Sequence, residues 1–183
     1  MKHIQRAFIF TIFLIIGSLT AQAGDMVKGP VFTDYGPVFK ITDLTTPVAK
    51  DFKYKLLYDI GKAADSEDKL NKGIESVARF INMHVMHGTK IEDIEIAVVL
   101  HGKATRDGLT HKAYEDKYLL ENPTLDLIEQ LSAKGVKFYQ CGQSAYYQKI
   151  TAKDLSPQVS MSLSAMTMLA ELQADGFQII PWW

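Results

Sequence analysis

The chain has 183 residues, 20 Lys and Arg against 21 Asp and Glu, a formal charge of −1 and 47% hydrophobic residues. Acids and bases are interspersed, and a chain without a basic face or block argues against nucleic acid as a partner. Its one cysteine, Cys141, cannot form an internal disulfide, so an apolar core alone must hold the fold.

The first 23 residues have the form of a cleavable secretory leader. Lys2 and Arg6 make a basic start, Ala7 to Leu19 is mostly apolar, and Ala21-Gln22-Ala23 supplies a small-x-small cleavage pattern. The apolar run is shorter than the roughly 18 to 20 residues of a spanning helix, so no stable membrane insertion is expected after cleavage. A cut after Ala23 leaves 160 of the 183 residues and removes Lys2 and Arg6, which moves the charge from −1 to −3. The expected location is periplasmic or secreted.

Residues 24–50 read as an extended arm punctuated by Gly29-Pro30, Gly36-Pro37 and Pro47. The echo between Gly29-Pro30-Val31-Phe32 and Gly36-Pro37-Val38-Phe39 has too short a period for a repeat fold and marks two similar extended segments. Residues 51–183 read as one domain. Phe52 to Ile60 forms a first strand closed by Gly61, and Asp65 or Ser66 is placed to cap a helix carrying Leu70, Ile74, Val77, Ala78, Ile81 and Val85 up to Gly88. Ile94 to Leu100 is mostly apolar on both faces, as a central parallel strand is, and His101-Gly102 ends it.

A polar crossing through Thr105, Arg106 and Asp107 leads to a short helix over His111 to Leu119. Asn122-Pro123 reads as a cap with proline at the first helical position, opening a helix with Leu125, Ile128 and Leu131 inward and Gly135 at its end. Val136 to Gln140 is a strand running into Cys141, followed by a short helix near Ser144 to Ile150, a minor strand at Val159 to Ser162, a last helix through Ala165 and Leu172, and a closing strand at Phe177 to Ile180. This alternation predicts an α/β fold, a three-layer sandwich with a mostly parallel central sheet of about five strands flanked by helices. Ligands of such sheets gather outside the carboxyl ends of the strands, where Gly61, His101, Cys141 and Pro181 fall.

Cys141 sits where a strand ends and a helix opens, a position that favours thiolate. Gly142, Gln143 and Ser144 follow it and can orient the thiol or cap the next helix. His101 either satisfies backbone groups after its strand or serves as a cationic or proton-handling partner of Cys141, the second only if the two strands are neighbours. Arg106 and Asp107 either contact a ligand at the rim or belong to a solvated loop. His84 and His87 suit the C-terminal end of their helix and lack further ligands for a metal. Met161, Met166 and Met168 suit a core or subunit interface, and Trp182-Trp183 suits docking onto the body or a neighbouring subunit. No Gly-rich phosphate loop, Ser-His-Asp order or carboxylate pair is present, and the reading calls for no cofactor and no metal.

His101-Gly102, Asn122-Pro123, Gly135-Val136-Lys137-Phe138-Tyr139-Gln140-Cys141-Gly142-Gln143-Ser144-Ala145 and Leu172-Gln173-Ala174-Asp175-Gly176-Phe177 together resemble the DsrE/DsrF-like sulfur-relay superfamily over roughly Lys53 to Ile180. The arm, with Gly29-Pro30-Val31 and Tyr35-Gly36-Pro37-Val38, resembles the lead-in of exported, periplasmic members. The resemblance implies a homo-oligomer, trimer or hexamer, in which Cys141 accepts sulfane sulfur as a persulfide from a donor and passes it to an acceptor protein. Such a protein is a sulfurtransferase-like carrier without independent turnover. Two other readings stand beside it: a non-enzymatic oligomeric module for small-ligand binding or assembly, and a thiol redox sensor.

Overall fold

Apolar runs that lack a polar face have to be covered on both sides, and in the computed structural model of the chain they become the middle of one parallel sheet. The structure describes residues 25–49 and 51–181; the leader expected over residues 1–23 and the Trp182-Trp183 pair lie outside them. The main elements are β3 (Tyr54–Ile60), α1 (Lys72–Met86), β4 (Ile94–Leu100), α2 (His111–Tyr118), α3 (Leu125–Ala133), β5 (Lys137–Cys141), α4 (Gly142–Tyr147), β6 (Val159–Ser162), α5 (Ala165–Ala174) and β7 (Gln178–Pro181). Before them, β1 (Met26–Val27) pairs antiparallel with β2 (Val38–Phe39).

The five main strands run in the order β6-β5-β4-β3-β7, every neighbouring pair parallel. Their carboxyl ends therefore share one edge, as the alternation of elements predicts. One face carries Leu56, Tyr58, Ile60, Ile96, Val98, Leu100 and Phe138 beneath Ile74, Val77 and Ile81 of α1 and Leu127, Ile128 and Leu131 of α3. The other carries Leu57, Ala97 and Val99 beneath Leu172 of α5 and Phe177. This is the three-layer α/β sandwich with a five-stranded parallel sheet.

The arm is fastened rather than loose. Asn82, buried on α1, accepts the backbone N–H of Val31 at 3.1 Å and of Phe32 at 2.9 Å through Oδ1, and its Nδ2 donates to the carbonyls of Phe32, Tyr35 and Gly36 at 3.0 Å each. Phe32 and Val38 are buried against the body by this seam.

Two caps and one loop differ from the sequence pattern. The pattern places the α1 cap at Asp65 or Ser66, whereas Asn71 caps it, its Oδ1 accepting from Gly73 N at 2.8 Å. Residues 61–70 instead form a loop pinned by Arg106, whose guanidinium donates to Glu67 Oε1 and to the carbonyls of Ala64 and Ser66. For α3 the pattern places the cap at Asn122, whereas Thr124 holds that position without a side-chain bond to the helix, because its hydroxyl is spent on Asn71 N and Asp107 Oδ1. The crossing after His101 is no solvated loop: Gly102–Gly108 is a 3-10 segment, and Thr105, Arg106 and Asp107 are buried in it.

Candidate functional site

Cys141 is the last residue of β5 and the N-cap of α4, so its sulfur stands where the first amides of that helix point. Two elements supply donors. From α4 come the N–H groups of Gln143 and Ser144 and the Ser144 hydroxyl; from α5, brought alongside because Cys141 pairs with Ser162 of β6, comes the N–H of Ala165. Burial is the largest single influence on the thiol and raises its pKa, but the Ser144 hydroxyl and amide together with the Ala165 and Gln143 amides outweigh it and hold the thiol below its ordinary value. The Cys141 side chain makes no capping bond of ordinary geometry onto α4, and the donors around the sulfur favour thiolate, the nucleophilic form.

Ser144 is itself oriented. Its Oγ accepts the backbone N–H of Gly102 at 3.0 Å, and the Gly102 carbonyl accepts from Gln148 Nε2 at 2.7 Å. Gly102 has φ +52°, and a Cβ there would lie 3.0 Å from the Gly61 carbonyl oxygen, which is why glycine fits the turn. Gly142 has a second steric role: a Cβ on it would come within 2.5 Å of the Ser162 carbonyl oxygen, so the close approach of β6 to the start of α4 depends on the missing side chain.

The surroundings of the thiol are apolar and open. Cys141 itself is 5% exposed, but Tyr146, Tyr147, Leu163 and Met166, from α4, the β6–α5 turn and the first turn of α5, are between 71% and 91% exposed. A groove of about 520 Å³ beside Ser144 is lined by Gly102, Lys103, Gln143, Ser144, Tyr147 and Gln148.

His101 follows β4, the immediate neighbour of β5, so the adjacency its functional role needs is present. Its imidazole, however, turns toward β3, where Nε2 bonds Asp59 Oδ1 at 2.8 Å. The groups that set the state of Cys141 are therefore Ser144, Gln143 and Ala165 rather than His101. The Arg106 guanidinium is occupied by Glu67 and by two carbonyls of the loop after β3, and its side chain is buried. Ala165 and Asp59 are the residues the sequence leaves unmarked. The Ser164-x-x-Thr167 cap, in which Ser164 Oγ accepts from Thr167 N at 3.0 Å, marks the helix start that brings Ala165 in.

The other candidates fall into packing roles. His84 stacks on Phe80 with centroids 3.8 Å apart, and both His84 and His87 bond backbone carbonyls one turn earlier. Among the described residues no cluster of three metal-ligating side chains exists. Met161 and Met168 pack against the two cores, while Met166 is exposed in the collar beside the thiol.

Residues 40–182 match the family model described as the DsrE/DsrF-like family. Five chains of solved structures match, among them a protein of unknown function from Methanobacterium thermoautotrophicum, 18% identical, with a TM-score of 0.50 and coverage of 70% of this chain and 99% of that one. At that identity the likeness is one of fold. No curated protein matches the chain.

Proposed function

The chain belongs to the DsrE/DsrF-like family, and on that footing we propose that it is an exported sulfur carrier in which Cys141 accepts sulfane sulfur as a persulfide and passes it to an acceptor protein. Family membership suggests a sulfur-relay-type function; the persulfide step, export and assembly belong to the proposal. The observation that carries it is the convergence of one hydroxyl and three backbone amides on a single cysteine whose thiol they bring below its ordinary value.

In the loading step the Cys141 thiolate attacks the outer sulfur of a donor, the bond from that sulfur to the donor breaks, and the donor leaves with the electron pair. In unloading, the acceptor thiolate attacks the same outer sulfur and Sγ departs as thiolate. The donors that lower the thiol pKa serve both steps, since they favour Sγ as nucleophile in the first and as leaving group in the second. The exposed collar of Tyr147, Leu163 and Met166 supports assembly with further copies as a trimer or hexamer. Export rests on the leader-like residues 1–23.

Intact-protein mass spectrometry after incubation with thiosulfate or polysulfide tests the proposal. The expected result is a gain of one sulfur atom on Cys141, removed by dithiothreitol and absent in Cys141→Ser. A protein that gains no sulfur from any of these donors is not a carrier.

A further inference from the structure

We propose that His101, held by Asp59, is the base that takes the proton of the incoming acceptor thiol when Cys141 gives up its sulfur; this rests on the carrier reading above. Asp59 is then a positioning residue of the transfer step, and His101 serves the acceptor rather than Cys141.

The parallel register carries the argument. Asp59, Val99 and Tyr139 form one row across β3, β4 and β5, so Gly61, His101 and Cys141 occupy the next row on the same face of the sheet. His101 has extended backbone, φ −150° and ψ −177°, and so continues the alternation of β4. The missing side chain of Gly61 decides which way the ring goes. A Cβ there would lie 2.6 Å from His101 Cε1, so the imidazole lies over Gly61 and reaches back to Asp59 in the row beneath.

That bond fixes the tautomer. Against a carboxylate, which only accepts, a neutral imidazole carries its hydrogen on Nε2 and keeps its lone pair on Nδ1, the form a base needs. Exposure assigns the role. The His101 and Asp59 side chains are 33% and 30% exposed, whereas Cys141 is 5% exposed. A thiol arriving along the rim therefore meets an accessible base at the end of the strand next to that of a covered sulfur, and the thiol of Cys141 already has its own donors in Ser144, Gln143 and Ala165.

Few charged groups compete. Asp59 faces His101 from β3; Lys62 stands on the loop after β3 and Lys103 on the 3-10 segment after His101; β7 and α4 carry no charged side chain, and α5 carries Glu171 alone, in its second half. The step balances as follows: the acceptor R–SH gives its proton to Nδ1; R–S⁻ attacks the outer sulfur of Cys141–S–SH; a new S–S bond forms as the old one breaks. The electron pair returns to Sγ, and the imidazolium releases its proton to water.

Transfer from polysulfide-loaded protein to glutathione, followed by mass spectrometry, tests this with His101→Gln and Asp59→Ala, each checked for an unchanged thermal transition. Asp59→Asn and His101→Asn stand in if either fails to fold. A free thiol with a pKa near 8.5 is only about 3% ionised at pH 7, so a base can gain at most roughly 30-fold there. The expected result is normal loading, transfer slowed about 10- to 30-fold at pH 7 in His101→Gln and less in Asp59→Ala, and a defect that closes above about pH 9.5 or with thionitrobenzoate, an acceptor already ionised. Wild-type transfer rates in His101→Gln, or a defect equal at every pH and with either acceptor, overturn the assignment. Failure of the wild type to load at all overturns the carrier reading instead, and this assignment with it.

Discussion

The backbone N–H of Gly102 donates to the Ser144 hydroxyl oxygen at 3.0 Å and thereby leaves the one proton of that hydroxyl for the sulfur of Cys141. Held at its oxygen, the hydroxyl keeps its proton available to the thiolate. Ser144→Ala removes the strongest single support of the ionised form while the three amides remain. A hydrogen bond to a charged group is worth about 1.5 kcal/mol or more, so iodoacetamide should react with Cys141 roughly tenfold more slowly near pH 7. The rates of variant and wild type should converge at alkaline pH, where both thiols are ionised. A pH–rate profile identical to wild type would show that the Ser144 hydroxyl does not act on the thiol.

Gly142→Ala tests the packing beneath the same thiol. The added methyl meets the backbone carbonyl of Ser162 rather than the end of a flexible side chain, so either β6 or the start of α4 must move. The expected cost is about 1 to 3 kcal/mol in urea unfolding. Because Cys141 and Ser162 are paired, the alkylation rate of Cys141 should change as well. A variant of wild-type stability and thiol reactivity would mean that this approach is not tight.

Asn82 holds the arm to α1 through five bonds from one side chain. Asn82→Ala leaves buried backbone groups of Phe32 and Gly36, and partly buried ones of Val31 and Tyr35, without this partner, and the expected loss is about 2 to 4 kcal/mol. Limited proteolysis should then cut within residues 26–41, while hydrogen exchange in β3, β4 and β5 stays slow. Uniform loss of protection through the sheet would instead make the arm part of the same cooperative unit as the core.

Strands that face helices on both sides were legible because burial leaves its mark directly on composition: Ile96 to Leu100 is buried throughout, and β6 falls on Val159 to Ser162 as its pattern predicts. The rim position of Cys141 follows from the same logic, since a strand end followed by Gly142 and Gln143 fixes where the thiol lies. What composition does not carry is pairing between polar groups distant in sequence. Arg106 and Asp107 look solvated because charge is usually exposed, yet Glu67 of the loop after β3 and Asn71 and Thr124, the N-caps of α1 and α3, bond them inside, with Arg106 Nε left without a partner. Asp59 lies within a largely apolar strand, and its partner His101 is 42 residues away. Only register reveals that the two share a face.

Asp107 gives that hidden cluster a measurable pH dependence. Burial, its largest influence, raises its carboxyl from 3.8 to about 6, against the lowering effects of Asn71, Arg106 and Thr124. The folded protein therefore binds this proton more tightly than the unfolded chain does. Its contribution to stability is fully present below about pH 4 and is lost as pH rises through about 6, the reverse of an ordinary paired carboxylate. Asp107→Asn keeps a carbonyl oxygen to accept from Asn71 Nδ2, which bonds the native carboxyl at 2.6 Å, and removes the charge. Between about pH 4 and pH 7 the wild type should lose up to about 3 kcal/mol relative to this variant, read as the pH dependence of the difference in urea midpoints at equal slope. A difference that stays constant over that range would mean that Asp107 titrates alike in the folded and unfolded states, and its burial would then have to be compensated by the Arg106 charge beside it.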